Sequence, residues 1–146
     1  PGTYLDELRA TNVTDCKECL AGFVCPNAST PFPTEPCAPG YFCPAGSVVG
    51  VGCPAGTFCA GGNTGPTPCA SGSYQSLALQ SACLDCPAGA YCLEGVEDYA
   101  ACPRGHYCPV STTFATQFPC PTGTFSNWTK RADLGDCAPC LPGRYC

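Results

Sequence analysis

One apolar position recurs along this chain. In the seven-residue frame C-x-x-G-x-[Y/F/V]-C, the place before the second cysteine is held by Val24, Phe42, Phe58, Tyr91, Tyr107 and Tyr145. The frame spans Cys19 to Cys25, Cys37 to Cys43, Cys53 to Cys59, Cys86 to Cys92, Cys102 to Cys108 and Cys140 to Cys146. That side chain is expected to lie over a neighbouring disulfide as a miniature core. The place before it holds Phe23, Tyr41, Thr57, Ala90, His106 and Arg144, a set so mixed that it is expected to face water. The invariant Gly marks a sharp reversal between two half-cystines, which needs positive φ.

A longer frame surrounds three of these units: C-x-x-G-[S/T]-[Y/F], a variable loop, then C-x-x-C-x-x-G-x-[Y/F/V]-C, ending at Cys25, Cys92 and Cys146, the first copy lacking its leading Cys. Gly72-Ser73-Tyr74-Gln75 and Gly123-Thr124-Phe125-Ser126 predict the first arms of short hairpins. In the variable loops, Leu5-Asp6-Glu7-Leu8-Arg9 and Leu77-Ala78-Leu79-Gln80 each predict a single helical turn that offers Leu to the disulfides, too short to stand alone. Ser47-Val48-Val49-Gly50-Val51-Gly52 is apolar and strand-like, within a run from Pro36 to Leu84 that carries no charge. Such a surface points to cover by glycans or another chain, or to a loosely packed loop over Cys43 and Cys53.

Composition turns this pattern into a fold class. Leu, Val and Phe make up about 16% of the chain and Ile and Met are absent, below the ~20% at which burial alone sustains a fold. Seventeen Cys, about 12%, exceed the ~8–10% of a disulfide scaffold, whose cross-links lower the entropy of the unfolded chain. An oxidising, extracellular compartment follows. With 17 Pro and 17 Gly, the expectation is small disulfide-rich repeats forming an elongated rod of short hairpins, turns and coil, with little regular secondary structure. The predicted organisation is a cysteine-rich module at 1–25, two short units with spacers at 26–68, a full module at 69–92, one short unit with spacers at 93–119, and a full module at 120–146. The chain opens inside a motif and reads as a fragment of something longer, so Cys16 is expected to pair with a half-cystine just ahead of Pro1.

If each leading Cys closes its own variable loop, Cys69 pairs with Cys83 and Cys120 with Cys137. For the four between them, interleaving is favoured, Cys86 with Cys102 and Cys92 with Cys108. Pairing among Cys19, Cys25, Cys37, Cys43, Cys53 and Cys59 stays open. Three sequons, at Asn12, Asn27 and Asn127, fall in spacers where N-linked glycans can project. Pro/Thr-rich stretches from Ser29 to Pro36 and Thr64 to Pro68 are expected to be extended, as sites for O-linked sugar or as rigid spacers.

Other chemistry finds little support. Six Lys and Arg and a net charge of −5 speak against nucleic acid, and no stretch approaches the ~20 apolar residues of a membrane span. Cys16-x-x-Cys19, Cys83-x-x-Cys86 and Cys137-x-x-Cys140 have half the spacing of a zinc ribbon, but no second pair stands at the right distance. His106 is the only His, and Glu94, Glu97 and Asp98 lack the order of a calcium loop. No metal, cofactor or catalytic group is expected. Trp128, inside a sequon, is read first as packing on its module and second as packing on sugar.

Across Cys69-Ala70-Ser71-Gly72-Ser73-Tyr74 and Cys83-Leu84-Asp85-Cys86-Pro87-Ala88-Gly89-Ala90-Tyr91-Cys92, the chain resembles the ephrin-receptor-like (GCC-type) cysteine-rich repeats, and nearly its whole length follows their grammar. Its Pro/Thr-rich, sequon-bearing form is similar to the glycoproteins of mastigonemes, the hair filaments of algal flagella. That resemblance implies a secreted, glycosylated, non-enzymatic structural segment. Its partners would be further copies of itself or another filament or coat protein. A ligand-binding ectodomain segment of a cell-surface receptor is the alternative.

Overall fold

The computed structural model describes residues 1–5, 16–27, 33 and 35–144. The sequon residue Asn12, the Leu5 to Arg9 loop beyond Leu5, Tyr145 and Cys146 lie outside them, as does most of the Ser29 to Pro36 stretch. No α-helix occurs among the described residues. The strands are β1 (Thr3–Leu5), β2 (Cys16–Glu18), β3 (Tyr41–Phe42), β4 (Val51–Gly52), β5 (Thr57–Phe58), β6 (Thr67–Pro68), β7 (Ser73–Tyr74), β8 (Leu84–Asp85), β9 (Ala90–Tyr91), β10 (Ala100–Ala101), β11 (Thr124–Phe125) and β12 (Ala138–Pro139). A 3-10 turn spans Leu134–Asp136.

A single hairpin rule places these strands. The two residues after the frame's Gly pair antiparallel with the residues just ahead of the next frame: β1 with β2, β3 with β4, β7 with β8, β9 with β10 and β11 with β12. Two frames reduce the hairpin to single bridges, Phe23 to Pro36 and His106 to Pro119. Local chemistry starts each one. The N–H at position 5 of the frame donates to the carbonyl at position 2, as from Tyr41 to Ala38, Ser73 to Ala70 and Ala90 to Pro87. Gly occupies the third place of this β-turn at positive φ, 86° at Gly72 and 82° at Gly89, the requirement of a type II turn. Where position 5 is Thr or Ser, its hydroxyl donates to the same carbonyl, at 2.7 Å from Thr57 to Pro54, Ser73 to Ala70 and Thr124 to Pro121.

The chain clusters into two compact units, Pro1–Thr67 with Leu77–Ala82, and Pro68–Ser76 with Cys83–Cys146. Within each, the frames are joined by backbone hydrogen bonds. The frame's Gly N–H donates to the last residue of the next frame, as from Gly22 to Cys43, Gly40 to Cys59, Gly72 to Cys92 and Gly89 to Cys108, all at 2.8 Å. The next frame's first Cys returns a bond to that Gly carbonyl, as from Cys37 to Gly22, Cys53 to Gly40, Cys86 to Gly72 and Cys102 to Gly89. Beyond each frame a residue reaches back by one. Gly46 N–H donates to Cys19, Gly62 to Cys37, Leu79 to Cys53, Gly95 to Cys69, Ser111 to Cys86 and Lys130 to Cys102. These bonds satisfy polar backbone that the cystines bury.

The ladder also merges two motifs that look separate in the sequence. C-x-x-G-[S/T]-[Y/F] at Cys69 and Cys120 makes the same turns and bonds as the seven-residue frame, with Gln75 and Ser126 in place of the closing Cys. Both substitutes are buried, at 3% and 6% exposure, as a closing cystine is. Counted this way, frames begin at Cys19, Cys37, Cys53, Cys69, Cys86, Cys102, Cys120 and Cys140, a spacing of 16 to 20 residues.

Bridges follow from the frames. Cys69 joins Cys83 and Cys120 joins Cys137, each closing a variable loop. The interleaved pairing is corrected: Cys86 joins Cys92 and Cys102 joins Cys108. The open set resolves the same way, Cys19 with Cys25, Cys37 with Cys43 and Cys53 with Cys59. The Gly turn and hairpin start bring the ends of one frame to Cα separations of 5.8–6.3 Å, within reach of a disulfide. These five frames therefore close on themselves, and the backbone connects frame to frame. Cys140 is disulfide-bonded as well, and Cys16 is the free cysteine among the described residues.

Cystine forms nearly all of the buried apolar volume. Among the described residues, Tyr4, Ala90 and Pro33 are the other buried apolar side chains, Tyr4 beside Cys19 and Cys25 in one cluster and Ala90 beside Cys86 and Cys92 in another. The middle slot of the frame is not uniformly wet, in contrast to expectation. Tyr41 and Arg144 are exposed, but Ala90 is buried at 4% and Phe23 packs on the Cys19 and Cys25 cluster. Sitting on a hairpin strand or bridge, that slot faces whatever the neighbouring frame presents. The helical turn expected at Leu77 to Gln80 is absent as well. Leu79 takes φ of 64°, outside the helical region, because its N–H is drawn to Cys53.

Candidate functional surfaces

The sequence pairs that resemble half a zinc site are divided between different bridges. Cys83 and Cys86 join Cys69 and Cys92, and Cys137 joins Cys120 while Cys140 is bonded elsewhere. In Cys16-x-x-Cys19 only Cys16 keeps a thiol, half-buried at the start of β2. The first Cys of each C-x-x-C therefore stands at one register position, three residues ahead of a frame. Among the described residues, no three His, Cys, Asp or Glu side chains are placed to hold a metal ion. His106 is half-buried with Nδ1 3.1 Å from the Arg104 carbonyl. Glu94, Glu97 and Asp98 are exposed, and Asp98 accepts from the N–H of Tyr99 at 2.8 Å.

Charge chemistry concentrates at the 3-10 turn. Asp136 Oδ2 accepts from the N–H groups of Ala132 and Asp133 at 3.0 and 3.2 Å, and Oδ1 faces Arg131 at 3.3 Å. The two backbone donors, more than Arg131, hold the carboxyl below its ordinary value of 3.8.

In the first unit, the uncharged stretch forms an apolar surface. Val49 is 72% exposed, and Tyr41, Val48 and Val51 are exposed with it. Beside it lies a groove of about 410 Å³, lined by Val24, Pro26, Glu35, Pro36, Tyr41 and Val49 among others. Sequence reasoning located the apolar run but missed the groove, since Val24 and Pro26 come from the preceding frame.

Among the sequons, Asn27 is exposed and already engaged in an interaction within the protein, and its Ser29 lies outside the described residues. Asn127, Trp128 and Thr129 are all described and all exposed. Core packing of Trp128 is corrected: it is 68% exposed, because the chain bends outward between the buried Ser126 and the reach-back residue Lys130. No helix among the described residues is long and apolar enough to cross a membrane. No family model matches the chain, and no curated protein matches it.

Proposed function

We propose that the chain is a non-enzymatic, structural segment of a secreted, glycosylated cysteine-rich repeat protein, assembled into an extracellular filament or surface coat of mastigoneme type. The observation that carries this reading is the frame-to-frame ladder. Its repeating element is backbone and cystine, while the surface side chains vary from frame to frame. A chain that satisfies itself by stacking short, cross-linked turns suits a mechanical role in an oxidising environment. The apolar, uncharged surface around Val49 suits lateral contact with further copies or with another coat protein. Electron microscopy of native material tests this: ordered polymers containing the chain support it, and isolated monomers on membranes overturn it. The groove beside Tyr41 favours one other reading, a receptor ectodomain segment that grips a protein ligand, for which the monomeric outcome would speak.

A further inference from the structure

The one Trp of the chain stands in water beside an intact sequon, and the fold pins the ends of the loop that carries it. Ser126 is buried, its carbonyl accepts from Gly105 N–H at 2.9 Å, and its hydroxyl donates to the Trp128 carbonyl at 3.1 Å. At the other end Lys130 N–H donates to Cys102, and Arg131 carbonyl accepts from Cys108 N–H. Between these anchors only Asn127, Trp128 and Thr129 project, all exposed. An indole left 68% exposed on a fixed loop forgoes the largest apolar burial any side chain offers. A pyranose ring has an apolar C–H face that suits the electron-rich face of an aromatic ring.

We infer that Asn127 carries an N-linked glycan and that Trp128 is the platform on which its first sugar stacks. The inference rests on the extracellular reading, because the sugar is added only in the secretory route. It assigns the exposed Trp to the chain's own modification instead of a partner. The sugar is bound to the adjacent residue, so its ring is present at the indole at high effective concentration without any further binding step.

The test uses the whole chain secreted from a eukaryotic host. Mass spectrometry of the peptide containing Asn127 is expected to find it glycosylated. Trp128 is the single Trp, so its fluorescence reports on this site alone. Iodide should quench the native protein about twofold less than Thr129→Ala, which loses the sequon without altering Asn127 or Trp128. Thr129→Ser, which keeps the sequon, should restore the protection, and an endoglycosidase that leaves the first sugar in place should preserve it. A secreted, disulfide-bonded protein with bare Asn127 would overturn the proposal and leave the extracellular reading standing. Equal quenching of native protein and Thr129→Ala would overturn the stacking, as would protection that appears only on self-assembly. If the protein is retained in a reducing compartment, both the proposal and the reading beneath it fail.

Discussion

Leu79, Ser111 and Lys130 are the non-glycine residues with positive φ among the described residues, at 64°, 62° and 61°, and they hold the place that Gly46, Gly62 and Gly95 hold elsewhere in the ladder. The backbone must turn left-handed there to send its N–H back one frame, whatever the side chain. A left-handed non-glycine residue costs about 1–2 kcal/mol, so Lys130→Gly is expected to stabilise the protein by about 0.5–1 kcal/mol after the entropy of Gly is counted. Calorimetric melting with bridges intact would measure it. Leu79→Gly should gain less, since the Leu79 side chain lies against Gly52. The frame's own Gly is more tightly constrained. A Cβ on Gly72 would stand 2.6 Å from the Ser111 carbonyl oxygen, whereas one on Gly105 meets nothing within 4 Å. Gly105→Ala should therefore cost only the ~1–2 kcal/mol of its φ, and Gly72→Ala at least about 1 kcal/mol more, by denaturant titration. Equal costs would mean that the close approach is not felt. The need for positive φ at the frame's Gly was legible in the sequence. The carbonyl pressed against it was not, because that oxygen belongs to a residue of no fixed type some forty positions on.

At the scale of the element, the frame is a turn, a hairpin start and a bridge that form together. A bridge between residues six apart closes a short loop, worth about 2 kcal/mol by loop-closure entropy, against about 3 kcal/mol for Cys69 to Cys83. Replacing Cys86 and Cys92 together by Ser should thus cost somewhat less than replacing Cys69 and Cys83, and peptide mapping should recover Cys86 joined to Cys92. Interleaved bridges would have tied adjacent frames through sulfur. The structure ties them through amides, which spacing of cysteines cannot reveal. The 3-10 turn makes a pH prediction. Asp136 has its folded pKa below 3.8, so its two backbone bonds contribute stability above that value and lose it as pH falls through the lower folded value. Asp136→Asn should therefore be less stable than the native chain at neutral pH, and the gap should close in acid. A gap that stays constant down to strong acid would refute it.

For the molecule as a whole, hydrogen exchange offers the most direct view of the ladder. The N–H groups of Gly22, Gly40, Gly72 and Gly89, and of Cys37, Cys53, Cys86 and Cys102, bond between frames and should be the slow ones. Amides at positions 2 and 3 of the frames should exchange fast, apart from any held by contacts of their own. Reduction of the bridges should release the slow class, since buried cystine is nearly all the apolar mass behind it. Persistence of the slow class after full reduction would show that the ladder holds without sulfur.

Cysteine density, the shortage of large aliphatic residues and the recurring Gly were enough by themselves to predict a helix-poor array of small cross-linked hairpins. Those features act locally, within seven residues, where spacing and backbone preference decide the outcome. That Gln75 and Ser126 stand in for cystine, and that Trp128 is left in water, depended on contacts one and two frames away. Such contacts are made largely by backbone atoms, which every residue carries alike, so only the tertiary structure could place them.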